Sequence, residues 1–335
     1  MGGNRRDKRM SLRRNVVFCI LGFILAVAAF MIASRYEDAS RVQERGVSTA
    51  NIGVHERIEH NGKTYVEETG ITTILIMGID GSSESERYGA RQGGQSDFMM
   101  LMVIDHPDNE VHLLQIDRDT IAEVETFGIL GNPIGTKAMQ ICLAHSFGNS
   151  EEQSCKVAQN AVSNLLQGID IDFYISVNMD SMALLNKTLR GVPVTLEDDF
   201  SEFDPMMTEG AEITLTDEQA EIFMRARMEI GDGTNASRMR RHRMFINNAM
   251  EKFKRLASED ADYINTAYEE MESALNMDIS KARLLNEANR AYRYEIRPIK
   301  TLDGSYMVGD DGFIEFHADE TSIVNWIVET LFREE

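Results

Sequence analysis

Four clusters of this chain carry side chains that could do chemistry. Gly78-Ile79-Asp80 closes one apolar run, and Gly93-Gly94-Gln95-Ser96-Asp97 opens the next. Asp117-Arg118-Asp119-Thr120 closes a third, and Arg225 and Arg227 are followed by Arg238, Arg240, Arg241 and Arg243. Asp80 and Asp97 are hard-oxygen donors of the kind Mg²⁺ (or Mn²⁺) takes when water and phosphate oxygens complete its shell. The planar guanidinium fork suits phosphate better than a lysine does. Each cluster also has a plainer reading. Asp80 can start a polar loop, Asp97 can pair with a nearby Arg, Arg118 can serve its flanking acids, and an Arg-rich helix can be a solvated face. Arg238 and Arg241 share one side of such a helix, as do Arg240 and Arg243.

The charge of the whole chain sharpens these alternatives. Over 335 residues it carries a net charge of −21, which argues against a general nucleic-acid binder. Three cysteines exclude a disulfide-dense scaffold and a four-cysteine zinc site. The average hides an uneven distribution. Residues 1–15 hold six basic side chains and one acid, and Val16–Ala33 follows with eighteen uncharged residues. As a helix this run spans about 27 Å, enough for a bilayer core. We read it as an uncleaved signal-anchor, with residues 1–15 cytoplasmic and the rest outside, by the positive-inside rule. Setting the tail aside leaves 28 basic and 54 acidic residues, a net charge of −26. Anion recognition by such a body must come from a concentrated set of arginines. Cys142 and Cys155 are the one cysteine pair beyond the anchor, and a disulfide or two buried thiols are both open to them.

The elements that must hold these residues are legible in outline. Residues 34–70 read as a stalk with one hairpin around Asn61-Gly62, with Lys63–Glu67 as a strand. A folded domain over 71–335 starts with three buried strands at Ile71–Ile79, Phe98–Ile104 and Val111–Ile116. Helices are expected over Ser154–Gln167, Asp180–Leu189, from Thr216 to about Met228, and from Ser237 to about Leu256. Two more are expected near 261–275 and 279–291, and a last one over Asp319–Phe332. Strands are expected at Phe173–Val177, Val192–Leu196, Tyr294–Ile299 and Phe313–Phe316. Interleaved in this way, the elements predict a three-layer α/β/α sandwich with a mixed central sheet, preceded by the transmembrane helix.

Eight segments in order resemble the LytR-CpsA-Psr family of cell-wall enzymes. They are ITTILIMGID, QSDFMMLMVID, VHLLQIDRDT, GTKAMQICLAHSFG, LLQGIDIDFYISVNMD, GVPVTL, TLTDEQAEIFMRARM and GDGTNASRMRRHRMFI. The resemblance implies transfer of a glycopolymer from a polyprenyl-pyrophosphate carrier to peptidoglycan, forming a phosphodiester, with Mg²⁺ beside the pyrophosphate. It implies Asp80 and Asp97 on the metal side and Arg118, Arg225, Arg227, Arg238 and Arg241 around the pyrophosphate. Asp119 then stands as the acid of the Arg-Asp pair, and Asp97 or Asp119 as the group that takes the acceptor proton. Ile222 and Phe223 would line a lipid channel or, as ordinary core, would not. Two positions depart from the family pattern: Gln95 stands where an Arg is usual, and His242 where a Gln is frequent. The missing Arg admits a second reading, a binder of lipid-linked glycans with little or no turnover, unless Arg87 or Arg91 replaces it. A transcriptional attenuator is the third, and the acidic body and short tail speak against it.

Overall fold

The computed structural model describes residues 57–80, 94–128, 131–228 and 230–335. They start with a hairpin, β1 (Arg57–His60) and β2 (Lys63–Glu67). Asn61 and Gly62 turn it with φ of 51° and 76°, the left-handed pair that a tight hairpin turn needs. The last strand of the chain, Phe332–Glu334, pairs antiparallel with β2. Residues 57–70 are therefore part of the folded body rather than of a stalk. The 16–33 anchor, Arg87 and Arg91 lie outside the described residues, and among these no helix is long and apolar enough to cross a membrane.

The three apolar runs become β3 (Ile71–Asp80), β4 (Gln95–Asp105) and β5 (Glu110–Ile116), joined antiparallel in the middle of a seven-stranded sheet. Between β5 and the next sheet strand the chain makes a hairpin of β6 (Ile121–Phe127) and β7 (Pro133–Gln140), which the sequence reading missed. A 3₁₀ segment, Ile141–Phe147, and helix α1 (Glu151–Leu165) follow. They deliver β8 (Phe173–Asn178) parallel to β3, because a parallel neighbour needs a crossover of this length.

The remaining elements are α2 (Met182–Thr188), β9 (Pro193–Thr195), β10 (Glu212–Thr214), α3 (Asp217–Arg225) and α4 (Asn235–Glu259), then α5 (Tyr263–Met271), β11 (Leu275–Met277) and α6 (Lys281–Ala291). After them come β12 (Glu295–Ile296), β13 (Lys300–Thr301), the hairpin β14 (Gly304–Val308) and β15 (Ile314–Ala318), α7 (Glu320–Leu331), and β16 (Phe332–Glu334). β11 closes one edge of the sheet antiparallel to β8, and β12 and β13 lie parallel to β5 at the other. The sheet is mixed, as expected. The single strand expected over Tyr294–Ile299 is instead two short ones, because Pro298 between them has no N–H to give the ladder.

Alternation along β3 explains why both faces are covered. Leu75, Met77 and Ile79 enter one core with Cys155, Ala158 and Val162 of α1 and Trp326 and Ile327 of α7. Ile74 and Ile76 enter the other with Phe223 of α3 and Phe245 of α4. A strand buried on both faces is mostly apolar, which is why Ile71–Ile79 reads as nearly one run; its two buried polar side chains, Thr72 and Thr73, are hydrogen-bonded to Arg283 and Asp172. Leu101, fully buried at the centre of β4, sits in this stiffest part. Leu101→Ala is expected to cost about 2–5 kcal/mol of unfolding free energy, measured by urea denaturation, against under about 0.5 kcal/mol for a surface change such as Glu269→Ala.

Candidate active site

The end of β3, the start of β4 and the end of β5 lie on one edge of the sheet, since β4 runs against both neighbours. Ligands of open α/β sheets gather at such strand ends. The β3–β4 register shifts between Gly78 and Ile79: Gly78 faces Phe98 and Ile79 faces Ser96, leaving Asp97 as the extra residue. Such a bulge re-aims its side chain. One carboxylate oxygen of Asp97 accepts from Arg118, just beyond β5, and the other accepts from Arg238 Nη1 at 3.0 Å. Arg118 also donates to Gln95 Oε1 at 2.5 Å and to Cys142 Sγ at 3.3 Å, and its Nε lies 3.6 Å from Asp119 Oδ1.

Asp117 stands behind this cluster as a hub. Its carboxylate accepts from the Asp119 amide at 2.8 Å, from Asn235 Nδ2 at 2.8 Å and from the Tyr306 hydroxyl at 2.5 Å. Asn235 in turn accepts from Arg238 Nη2 at 2.9 Å. The first turn of α4, the β5 end and the β14 strand are thereby locked together. Asn235 and Tyr306 escaped the sequence reading. Only the Asp-Arg-Asp repeat at 117–119 hinted that Asp117 would matter.

The helix ends explain the arginine spacing. Thr216 and Gln219 form the expected capping box, and α3 stops at Arg225 because Ala226 is already extended (ψ 134°). Arg225 pairs with Glu221 at 3.3 Å and with Asp80 at 3.8 Å. Arg227 is thus free of helical geometry and lies close enough to Asp119 and Arg238 to act on both charges. Thr234 caps α4 by accepting from the Ser237 amide at 3.1 Å, starting the helix two residues earlier than expected. Arg238 and Arg241 are both buried on its inner face.

Their partners separate them. Arg241 is held by Asp198 at 3.6 Å, Ser237 Oγ at 3.5 Å and the Ala226 carbonyl, with its guanidinium 5.6 Å from the Phe200 ring. It fastens the α3–α4 connection. His242 does similar work, donating from Nε2 to the Met224 carbonyl at 2.8 Å. Burial, with Arg238 nearby, drives its pKa down to about 3, so it stays neutral. Phe223 is packed in the core, with its ring 5.6 Å from that of Phe200, and Ile222 is half-buried beside the same core.

Electrostatically the cluster is strained toward a ligand. Burial, and then Asp117, raise the Asp119 carboxyl above the ordinary aspartate range, against the pull of Arg118, Arg227 and Arg238. Burial lowers Arg238; Asp97 opposes this while Arg118 and Arg227 add to it. The buried Nε groups of Arg118, Arg227 and Arg238 and Oδ2 of Asp119 have no hydrogen-bond partner among the described residues. Orphaned buried donors are costly, and three of them around one cluster fit an oxyanion. Asp80 and Asp97 fit a hard divalent ion as donors in kind, although both Asp97 oxygens are held by guanidinium groups. Among the described residues no three His, Cys, Asp or Glu side chains group around a metal position.

The disulfide alternative is overturned. Cys142 and Cys155 are free, buried thiols. Cys142 faces Arg118, while Cys155 Sγ lies 3.5 Å from His145 Nε2 and 3.4 Å from Ser176 Oγ. Each sulfur is engaged by a different set of side chains, and burial pushes both thiols up to about 11.

The class these features define is a mixed-sheet α/β domain with arginines and carboxylates gathered at its strand ends. The chain belongs to the LytR_cpsA_psr family, whose model matches residues 31–328. It is 25% identical over 263 residues to the polyisoprenyl-teichoic acid–peptidoglycan teichoic acid transferase TagU of Bacillus subtilis, covering 77% of this chain and 75% of that one. The TagU of Halalkalibacterium halodurans is 29% identical over 161 residues, 48% of this chain and 46% of that one. Among solved structures, TagV of B. subtilis superposes with a TM-score of 0.61 at 22% identity, covering 79% of this chain and 98% of that one. TagT bound to LI-WTA superposes with a TM-score of 0.58 at 17% identity, over 78% and 90%. The mixed α/β fold is that of these proteins.

The free thiols give a direct check. Iodoacetamide added to the chain unfolded in urea without reductant should label both Cys142 and Cys155, read by peptide mass spectrometry. Labelling of neither would restore the disulfide. In the native protein both should react at least about a hundredfold more slowly than a free thiol, being buried and protonated.

Proposed function

We propose that this chain transfers a glycopolymer from a polyprenyl-pyrophosphate carrier to peptidoglycan, forming a phosphodiester. The observation that carries this reading is the set of unfilled buried N–H donors on Arg118, Arg227 and Arg238 beside Asp97 and Asp119. Such donors stabilise charge that grows on phosphate oxygens as the lipid phosphate leaves. Arg225, half-buried at the end of α3 beside Glu221 and Asp80, adds a contact at the rim.

The two acids divide their work by their neighbours. Asp97, clasped by Arg118 and Arg238, orients both guanidiniums, one through each oxygen. Asp119 keeps an unfilled oxygen and a raised pKa, so it takes the proton of the acceptor hydroxyl. Asp80 and Asp97 would hold Mg²⁺ or Mn²⁺, which when bound supplies further positive charge to the diphosphate. Arg241 keeps the α3–α4 loop in place and so supports Arg227. Residues 16–33 anchor the protein in the cell membrane as a single pass, with residues 1–15 inside and the acidic body outside. No nucleic acid is involved.

The competing reading, a binder that presents lipid-linked glycans without turnover, rests on Gln95. In this fold Gln95 accepts from Arg118 and steadies it, so its loss of charge relative to an Arg is partly offset by better placement of Arg118.

Two assays separate these readings. With lipid-pyrophosphate glycan and a peptidoglycan acceptor, the full chain should release polyprenyl phosphate, and Arg118→Ala or Arg227→Ala should slow release about 10²–10³-fold, or about 2.7–4 kcal/mol of barrier. Binding without release in the parent protein would favour the binder. Variants as active as the parent would remove the site assignment. The rate should also rise with pH through a limb above the ordinary aspartate range, because a base works only when ionised and the Asp119 pKa is raised. Asp119→Asn should abolish that limb along with most activity.

A further inference from the structure

Arg240 and Arg243 are the arginines that the phosphate cluster leaves over. Three apart on α4, they line a cavity of about 290 Å³ between that helix and the β13–β15 region. Gln115, Asp117 and Asp303 are among its other polar walls, and the Tyr306 ring lines it, 4.9 Å from that of Phe316.

The chemistry of this cavity is uneven. Arg243 donates to Gln115 Oε1 at 2.8 Å, whereas Arg240 is exposed, makes no hydrogen bond or ion pair among the described residues, and has Asp232 as an acid near enough to act on it. The two guanidiniums repel, and burial and then Arg240 hold Arg243 below its ordinary pKa. Glu197 is the acid that acts on Arg243 from outside the lining, and the Tyr306 hydroxyl also faces it. Asp117 keeps its charge, but its carboxylate is turned to Tyr306, Asn235 and the Asp119 amide and so gives neither arginine a direct partner. The lining sets two arginines against two acids, Asp117 and Asp303, and the exposed Arg240 fork is the one left open to an acidic group on a ligand. The half-exposed Tyr306 (47%) offers an aromatic face of the kind on which a sugar ring stacks. Position matters as much as composition. Asp117 belongs both to this cavity and to the hub that holds Asp119, so a molecule seated here lies next to the reacting end of the candidate active site.

We propose that this cavity is a second subsite that takes a saccharide carrying an acidic group, with Arg240 and Arg243 on the acid and Tyr306 against the ring. It rests on the transferase reading only for its purpose, which is to hold the acceptor strand. A carboxylate on the acceptor sugar and a phosphate on the donor polymer share this chemistry.

The test uses the full chain in detergent, titrated by ligand-observed NMR with N-acetylmuramic acid, N-acetylglucosamine 6-phosphate and neutral N-acetylglucosamine. One or both acidic sugars should bind, and Arg240→Glu, at an exposed position that the fold does not need, should weaken that binding at least about tenfold. It should leave the neutral sugar unaffected. Arg243→Gln should act in the same direction. Loss confined to the muramic acid assigns the cavity to the acceptor, and loss confined to the phosphate sugar assigns it to the donor polymer. The proposal is overturned if neither acidic sugar binds the parent chain, or if Arg240→Glu binds both as tightly as the parent. If the parent chain releases no polyprenyl phosphate while Arg240→Glu still loses the acidic sugar, the transferase reading falls and the cavity stands.

Discussion

The site depends on one carboxylate. Asp97 stands between Arg118 and Arg238 with one oxygen for each, and so ties the start of β4 to the residue after β5 and to the first turn of α4. All three side chains are mostly buried. In such a setting the attraction must offset the desolvation of each ion, and removing the carboxylate would leave two guanidiniums facing each other in a poorly screened space. The arrangement therefore holds the arginines where they would not stay by themselves. A β-bulge makes it feasible, because a regular ladder would have turned the Asp97 side chain by the ordinary alternation of β4.

A second layer of polar contacts keeps that arrangement from slackening. Asp117 gathers an amide, a carboxamide and a phenol, and through Asn235 it fixes the other end of Arg238. The arginine forks are satisfied on one side and left short of partners on the Nε side. Preorganised donors of that kind lose little on meeting a phosphate, because they are already dry and already aimed. The two-faced core beneath the sheet makes the edge rigid enough for this to hold.

Charge works at two scales in this protein. The body outside the basic tail is strongly acidic, which disfavours diffuse binding to phosphate surfaces. Within it, the arginines of the first turns of α4 form two groups. Arg238 and Arg241 face inward, one to the site and one to the α3–α4 connection, while Arg240 and Arg243 face the cavity beneath Tyr306. A helix with 3.6 residues per turn sends neighbours in sequence to different sides, so one short arginine run serves separate places.

Much of this was written in the sequence. The three apolar runs could only be buried strands, the Thr216–Gln219 box could only begin a helix, and the Asp80, Asp97, Arg118 and Arg238 candidates stood where strands or helices end. These are local signals, set by periodicity, capping and β-branching. What the tertiary structure decided is long-range. It set one guanidinium on each oxygen of Asp97, gave Arg241 to the Ala226 carbonyl, parted Cys142 from Cys155, and brought Tyr306 to Asp117 from 189 residues away. It also took residues 57–70 into the body through β16. None of these follows from spacing along the chain, because a side chain's partner is set by which elements pack together, and packing is a property of the whole core.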